Sequence, residues 1–238
     1  DGFKAQQHRW TKGCIQVCQK MFFDIWRSSA PLKAKLEATT HLTCNYSYLV
    51  LVLLCFLVLP IGAGTIAPSG DWAWDSPQML VLTFSLFFLA TISVCAFYVL
   101  AEAIVKPRRW WMVFPLLLPL LALGIGMAVN NAKAVLEAVF GQKSEFVRTP
   151  KFGESNQGAL SIEKRAAGYK ALKSVLVPVL ELMFGSFFAW IEVKNLMGGN
   201  YLGFVLTAPF LGFFYTGFCS LGRLIDGVIQ RRRACKSA

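Results

Sequence analysis

Five long apolar runs constrain this chain more than any other feature. They cover residues 46–67, 79–105, 110–129, 172–192 and 201–222, and each carries few charges. A helix needs roughly 20 predominantly apolar residues to cross a hydrocarbon core. Inside that core every backbone polar group must be bonded within the protein, which leaves helices as the spanning element for runs of this length. The runs therefore predict an all-α membrane protein. By length alone, 238 residues would suffice for one or two soluble domains, but 55% hydrophobic and only 16% charged residues exclude that class.

The charge that remains is lopsided. A formal net charge of +11 sits mainly in three places: the N-terminal segment, residues 131–173 and the tail Arg231-Arg232-Arg233-Ala234-Cys235-Lys236. In a membrane protein such an excess is read first as positive-inside bias and attraction to lipid headgroups. No nucleic-acid partner is expected, because no zinc-finger or RNA-binding aromatic signature is present. The seven cysteines are scattered without a CxxC pair, and there are only two histidines, His8 and His41. Neither a disulfide framework nor a metal site follows from them.

The chain is expected to divide into five parts. Residues 1–45 form interfacial helices, and 46–130 a first transmembrane group. Residues 131–171 form a cytoplasmic interfacial helix and a loop, 172–222 the last two transmembrane helices, and 223–238 a basic cytoplasmic tail. Over residues 3–27, Ile15, Cys18, Phe22, Ile25 and Trp26 recur at spacings of three and four, with Lys12, Gln16, Gln19, Lys20, Asp24 and Arg27 on the other face. That pattern predicts a helix lying on the membrane surface. Ser28-Ser29-Ala30-Pro31 ends it, and a second short helix over 32–43 leads to the first span. The following loop holds Asp71, Asp75, Trp72 and Trp74 without Lys or Arg, as on the non-cytoplasmic side.

Counting crossings raises a parity conflict. Three full crossings between residues 46 and 129 would place the basic 131–173 segment outside. Pro115, Pro119, Gly124 and Gly126 in the third run suit a re-entrant or broken hairpin, which leaves four spans. The alternative is five spans, with one basic segment breaking the charge rule. The expected fold is thus interfacial amphipathic helices plus a bundle of four to five transmembrane helices. The protein would be integral and multi-pass, in a bacterial inner membrane or an endomembrane, with the N-terminal segment and C-terminal tail cytoplasmic.

Two short motifs carry the chemistry. Gln6-Gln7-His8-Arg9-Trp10 places Gln6, Arg9 and Trp10 on one side of a helix. Arg forks onto phosphate oxygens, and Trp offers a flat amphipathic face of the kind that stacks on a sugar ring. The second motif is Phe146-Val147-Arg148-Thr149-Pro150-Lys151, in the long polar segment between spans.

Gln6-x-x-Arg9-Trp10, followed by Lys12-Gly13, an interfacial helix and spans, resembles the QxxRW motif of processive family 2 glycosyltransferases. The longer string most resembles the cellulose-synthase-like mannan synthase branch and its bacterial relatives. Phe146, Thr149 and Lys151 match the FxVTxK gating loop of bacterial cellulose synthases, while Arg148 stands where that motif has Val. The resemblance implies that Trp10 contacts the acceptor sugar, and that Gln6, Arg9, Thr149 and Lys151 bind the donor diphosphate. Arg148 would add a further phosphate contact.

The family's catalytic base and acidic metal-binding motif belong to an N-terminal nucleotide-sugar domain. This sequence has no DxD and begins with Asp1 inside a motif-bearing helix. It is therefore expected to be the C-terminal part of a longer hexosyltransferase and inactive alone, with no catalytic or metal-binding residue of its own. Magnesium or manganese would be bound in the missing domain. The implied partners are a nucleotide sugar, a polysaccharide acceptor, membrane lipid and that domain. Two other readings stay open: a non-processive transferase that forms a glycolipid, and a non-enzymatic multi-span transporter or scaffold. Glu181, in mid-run, is read either as lining a polymer path or as a neutral, hydrogen-bonded structural glutamate. Glu102, Glu192 and Asp226 sit near span ends and are read as interfacial.

Overall fold

The computed structural model describes residues 2–62, 77–142, 175–199 and 201–236, and these are mostly helical with no strand among them. The Phe146–Lys151 motif and residues 68–76 of the loop after the first span lie outside the described residues. In chain order the helices are α1 (Gly2–Arg27), α2 (Leu32–Thr43), α3 (Ser47–Gly62), α4 (Pro77–Val105) and α5 (Phe114–Gly126). They continue with α6 (Ala128–Val139), α7 (Leu176–Met197), α8 (Tyr201–Thr207) and α9 (Gly212–Lys236). Among the described residues three stretches are long and apolar enough to cross a membrane: Leu32–Leu57, Trp110–Val139 and Leu176–Met197.

Local chemistry accounts for several boundaries. α1 stops where Ser28 Oγ donates to the Ile25 carbonyl (2.6 Å) and Pro31 takes up an extended backbone ahead of α2. α2 then turns back onto α1, tied by Trp26 Nε1 donating to Thr39 Oγ1 at 2.9 Å and Lys35 Nζ to the Trp26 carbonyl at 3.0 Å. The last run, expected as one span, is interrupted. A 3-10 turn over Ala208–Leu211, with Pro209 in its first positions, separates α8 from α9. α9 then continues through Arg231, Arg232 and Arg233 to Lys236, so the expected tail is helical in its backbone.

The hairpin expected over 110–129 is not what the backbone does. A 3-10 turn (Trp110–Val113) leads into α5, which is continuous for 13 residues with Pro119 inside it. Met127, in the right-handed helical region, is the single residue between α5 and α6. The prolines are placed to spare the helix. Pro115 occupies the first turn, where no N–H is needed, and Pro119 forfeits only the one bond to the carbonyl four residues earlier.

The chain divides into two compact units. The first comprises Asp1–Leu53, Met127–Leu182 and Thr216–Ala238. α1 lies along α6 within it, and Ile15, Val135 and Ala138 form a fully buried cluster flanked by Tyr46 and Leu49. Gly217 of α9 passes so near Leu182 of α7 that a Cβ there would sit 2.9 Å from the leucine side chain. Small residues at helix contacts are the usual means of close packing in lipid, where apolar tails give no hydrophobic drive.

The second unit comprises Leu54–Gly126 and Met183–Tyr215. Its centre is aromatic: Phe184 and Phe213 (ring centroids 5.3 Å apart), Phe188 and Phe210 (4.3 Å, stacked), and Phe56 against Phe184 (5.0 Å). Here α5 meets the 208–211 turn so closely that a Cβ on Gly212 would fall 1.8 Å from the Ala122 carbonyl oxygen.

Candidate functional site

α1 is the element that carries the first motif, and its packing decides what the motif faces. Lys4, Thr11, Lys12, Ile15 and Cys18 are its buried residues, at spacings that put them on one stripe with His8. Ile15 and Cys18 were expected on the lipid-facing stripe, and Ile15 packs against α6 instead. Lys12, assigned to the polar outer face, is only 5% exposed and lies on the packed side. Phe22 and Ile25 are half-buried, and Trp26 is exposed.

At about 100° per residue, Gln6, Arg9 and Trp10 fall roughly half a turn round the helix from Lys4 and Ile15. Gln6 and Arg9 are half-buried and Trp10 is 59% exposed. Phe3, Val17 and Met21 are also exposed on that side. The structure thus brings the three expected contact residues together on an outward face. The loop with Arg148, Thr149 and Lys151 lies outside the described residues.

Behind the motif the packed face holds two charged clusters that sequence reasoning missed. In the first, Lys4 Nζ donates to both oxygens of Glu181, at 2.5 and 2.7 Å, and to Ser220 Oγ at 2.7 Å. Glu181 is 0% exposed and Lys4 6%. The Lys4 carbonyl accepts from Asn130 Nδ2 at 3.0 Å, and the same amide donates to Asn131 Oδ1. Burial pulls the Lys4 ammonium below its ordinary pKa, and the adjacent Glu181 carboxylate opposes that shift. Glu181 therefore has a charged partner, which the reading as a neutral structural glutamate did not include. The sequence showed only that a carboxylate in mid-run calls for a polar or charged partner, and nothing in it singled out Lys4.

In the second cluster Glu137 of α6 receives Lys12 at 3.0 Å and His8 Nε2 at 3.4 Å, with Lys133 at 3.9 Å. Burial lowers the His8 pKa; Glu137 opposes the shift, while Lys133 and Lys12 reinforce it. A native value below the unfolded one means that the unfolded chain binds the proton first. Stability should therefore fall as pH drops from about 6.5 toward that lowered value. Denaturant midpoints across pH 7.5 to 5 should show this slope, and His8→Gln should flatten it. An unchanged slope in His8→Gln would assign the pH dependence to other groups.

Glu192, near the end of α7, is buried in the second unit, where Thr207 Oγ1 donates to it and Asn195 Nδ2 lies 3.5 Å from the same hydroxyl. Glu102 pairs with Lys106 one turn on, at 2.8 Å, and the side chain of Asp226 lies outside the described set. Among the described residues no group of three or more His, Cys, Asp or Glu is placed to ligate a metal ion.

No protein-family model matches the chain, and no solved structure matches it. Among curated proteins it is similar to the glucomannan 4-beta-mannosyltransferase 7 of Arabidopsis thaliana. The two are 23% identical over 234 residues, which covers 93% of this chain and 37% of that protein. The chain thus spans well under half the length of the curated relative it matches.

Proposed function

We propose that this chain is the membrane part of a family 2 glycosyltransferase that elongates a β-linked polysaccharide from a nucleotide sugar. The observation that carries the reading is the outward face of α1. A guanidinium, an amide and an exposed indole share one side of a helix that protein packs from behind. The distant likeness to a mannosyltransferase supports it, because it runs along nearly the whole chain rather than over one motif. Three apolar stretches of spanning length support placement in a membrane.

In this reading Arg9 and Gln6 donate hydrogen bonds to the donor diphosphate, and Trp10 stacks on the acceptor sugar. Fixed donors aimed at the departing diphosphate stabilise the charge that develops as the glycosidic bond to it breaks. Thr149, Lys151 and Arg148 close over the same group from the polar loop. Glu181 takes part behind the motif through its ion pair with Lys4, and a place on the polymer path would require that pair to border it. The catalytic carboxylate and the divalent cation belong to sequence beyond this chain, as does the choice of sugar. The N-terminal segment and the tail face the cytoplasm, and the product leaves across the bilayer.

The test is turnover by the full-length protein in vesicles, with UDP-glucose and GDP-mannose supplied separately. Arg9→Ala is expected to lower turnover by about 10²-fold, the loss typical of removing one donor from a developing negative charge. Near-normal turnover in both Arg9→Ala and Lys151→Ala would refute the diphosphate assignment. A glycolipid product instead of polymer would replace the polysaccharide part of the reading.

A further inference from the structure

We infer that Lys4 is a positioning residue: its ion pair with Glu181 sets the rotation of α1, and so determines which way Gln6, Arg9 and Trp10 point. The inference rests on the reading of those three residues as substrate contacts.

Lys4 is held at both ends. Its ammonium is fixed by Glu181 of α7 and Ser220 of α9, and its carbonyl by Asn130 of α6. One residue of the motif helix therefore meets residues of three other helices, and Asn130, Glu181 and Ser220 all belong to the first unit. Each of those contacts is directional. Much of the remaining α1 packing is apolar, as with Ile15 against Val135 and Ala138, and apolar burial scales with area rather than angle. Lys12 and His8 also meet Glu137, but that carboxylate keeps 17% of its side chain exposed, whereas Glu181 is fully buried and has more to lose from a turn of the helix. Turning α1 by one residue, about 100°, would keep much apolar contact but strip Glu181 of its counter-charge at a fully buried site.

Stability alone gives no reason for such a pair. Apolar residues of similar size at the two positions would serve the fold as well or better, and the best-attested use of a buried ion pair is to fix register. The consequence falls on the opposite face. Gln6 is two residues from Lys4, Arg9 five and Trp10 six, all on one rigid helix, so the angle set at Lys4 is the angle at which they are presented.

The experiment uses the full-length protein in vesicles, with the same two nucleotide sugars, and a thermal unfolding midpoint for every variant. The apolar pair Lys4→Met/Glu181→Leu should fold but turn over at least about tenfold more slowly, within the range that a misplacement of about 1 Å produces. The charge swap Lys4→Glu/Glu181→Lys should recover turnover to within about threefold of wild type, because it restores the directional contact. Adding Arg9→Ala to the apolar pair should cost less than the two separate losses combined, since part of what Lys4 does is done through Arg9. Wild-type turnover in the folded apolar pair, with Arg9→Ala still impaired, would overturn the positioning role alone. Additive losses would overturn it too. Wild-type turnover in Arg9→Ala would remove the reading of the motif, and the inference with it.

Discussion

Glu181→Ala is expected to destabilise the fold by about 3–5 kcal/mol, the usual cost of leaving one member of a buried ion pair without the other. The stranded group would be the Lys4 ammonium, 6% exposed, with the Ser220 hydroxyl left to accept from it among the described residues. Lys4→Met should cost a similar amount, because the fully buried carboxylate is then unpaired. Combining the deficits is expected to cancel them: Lys4→Met/Glu181→Leu should unfold at or above the wild-type midpoint. Denaturant or thermal unfolding in detergent gives all three values. If the double variant is as unstable as the singles, the stabilising element is the wider network of Ser220 and Asn130 rather than the pair itself.

The second large effect is steric. Gly212→Ala places a methyl group 1.8 Å from the Ala122 carbonyl oxygen and 2.4 Å from its carbon. Both are backbone atoms, so no side chain can swing away and α5 itself would have to shift. Overpacking of this kind costs about 1–3 kcal/mol, and a backbone obstacle puts Gly212 at the upper end. Gly222→Ala is the matched control on the same helix, since a Cβ there meets nothing within 4 Å. It should be neutral or gain up to about 1 kcal/mol from helix propensity. Equal midpoints for the two variants would mean that α5 and the 208–212 segment do not pack as described.

Much of the helical plan could be read directly. The stripe around Ile15 and Cys18, the break at Ser28 to Pro31 and the apolar run over 172–192 are local patterns, and each has an observed counterpart, the run as a helix described from Leu176 on. Prolines were the poor guide. Pro115 and Pro119 looked like breakers in the third run, yet their spacing of four leaves α5 intact. Pro209, by contrast, falls where the last run is interrupted. A proline's effect depends on which carbonyl loses a partner, and that depends on where the helix begins.

The motif residues were legible as a helical face because Gln6, Arg9 and Trp10 are near neighbours on one helix. Their partners behind the helix were not. Lys4 and Glu181 are 177 positions apart, and Lys12 and Glu137 are 125 apart. No periodicity links residues at such separations. Sequence alone determined that this chain is helical and apolar, and where its first motif lies, because helix formation and hydropathy are properties of neighbouring residues. Tertiary structure decided that Lys12 faces inward, that Glu181 has a cation and that the motif turns outward. Those outcomes depend on which distant side chain can satisfy a buried charge, and only the folded packing brings the two together.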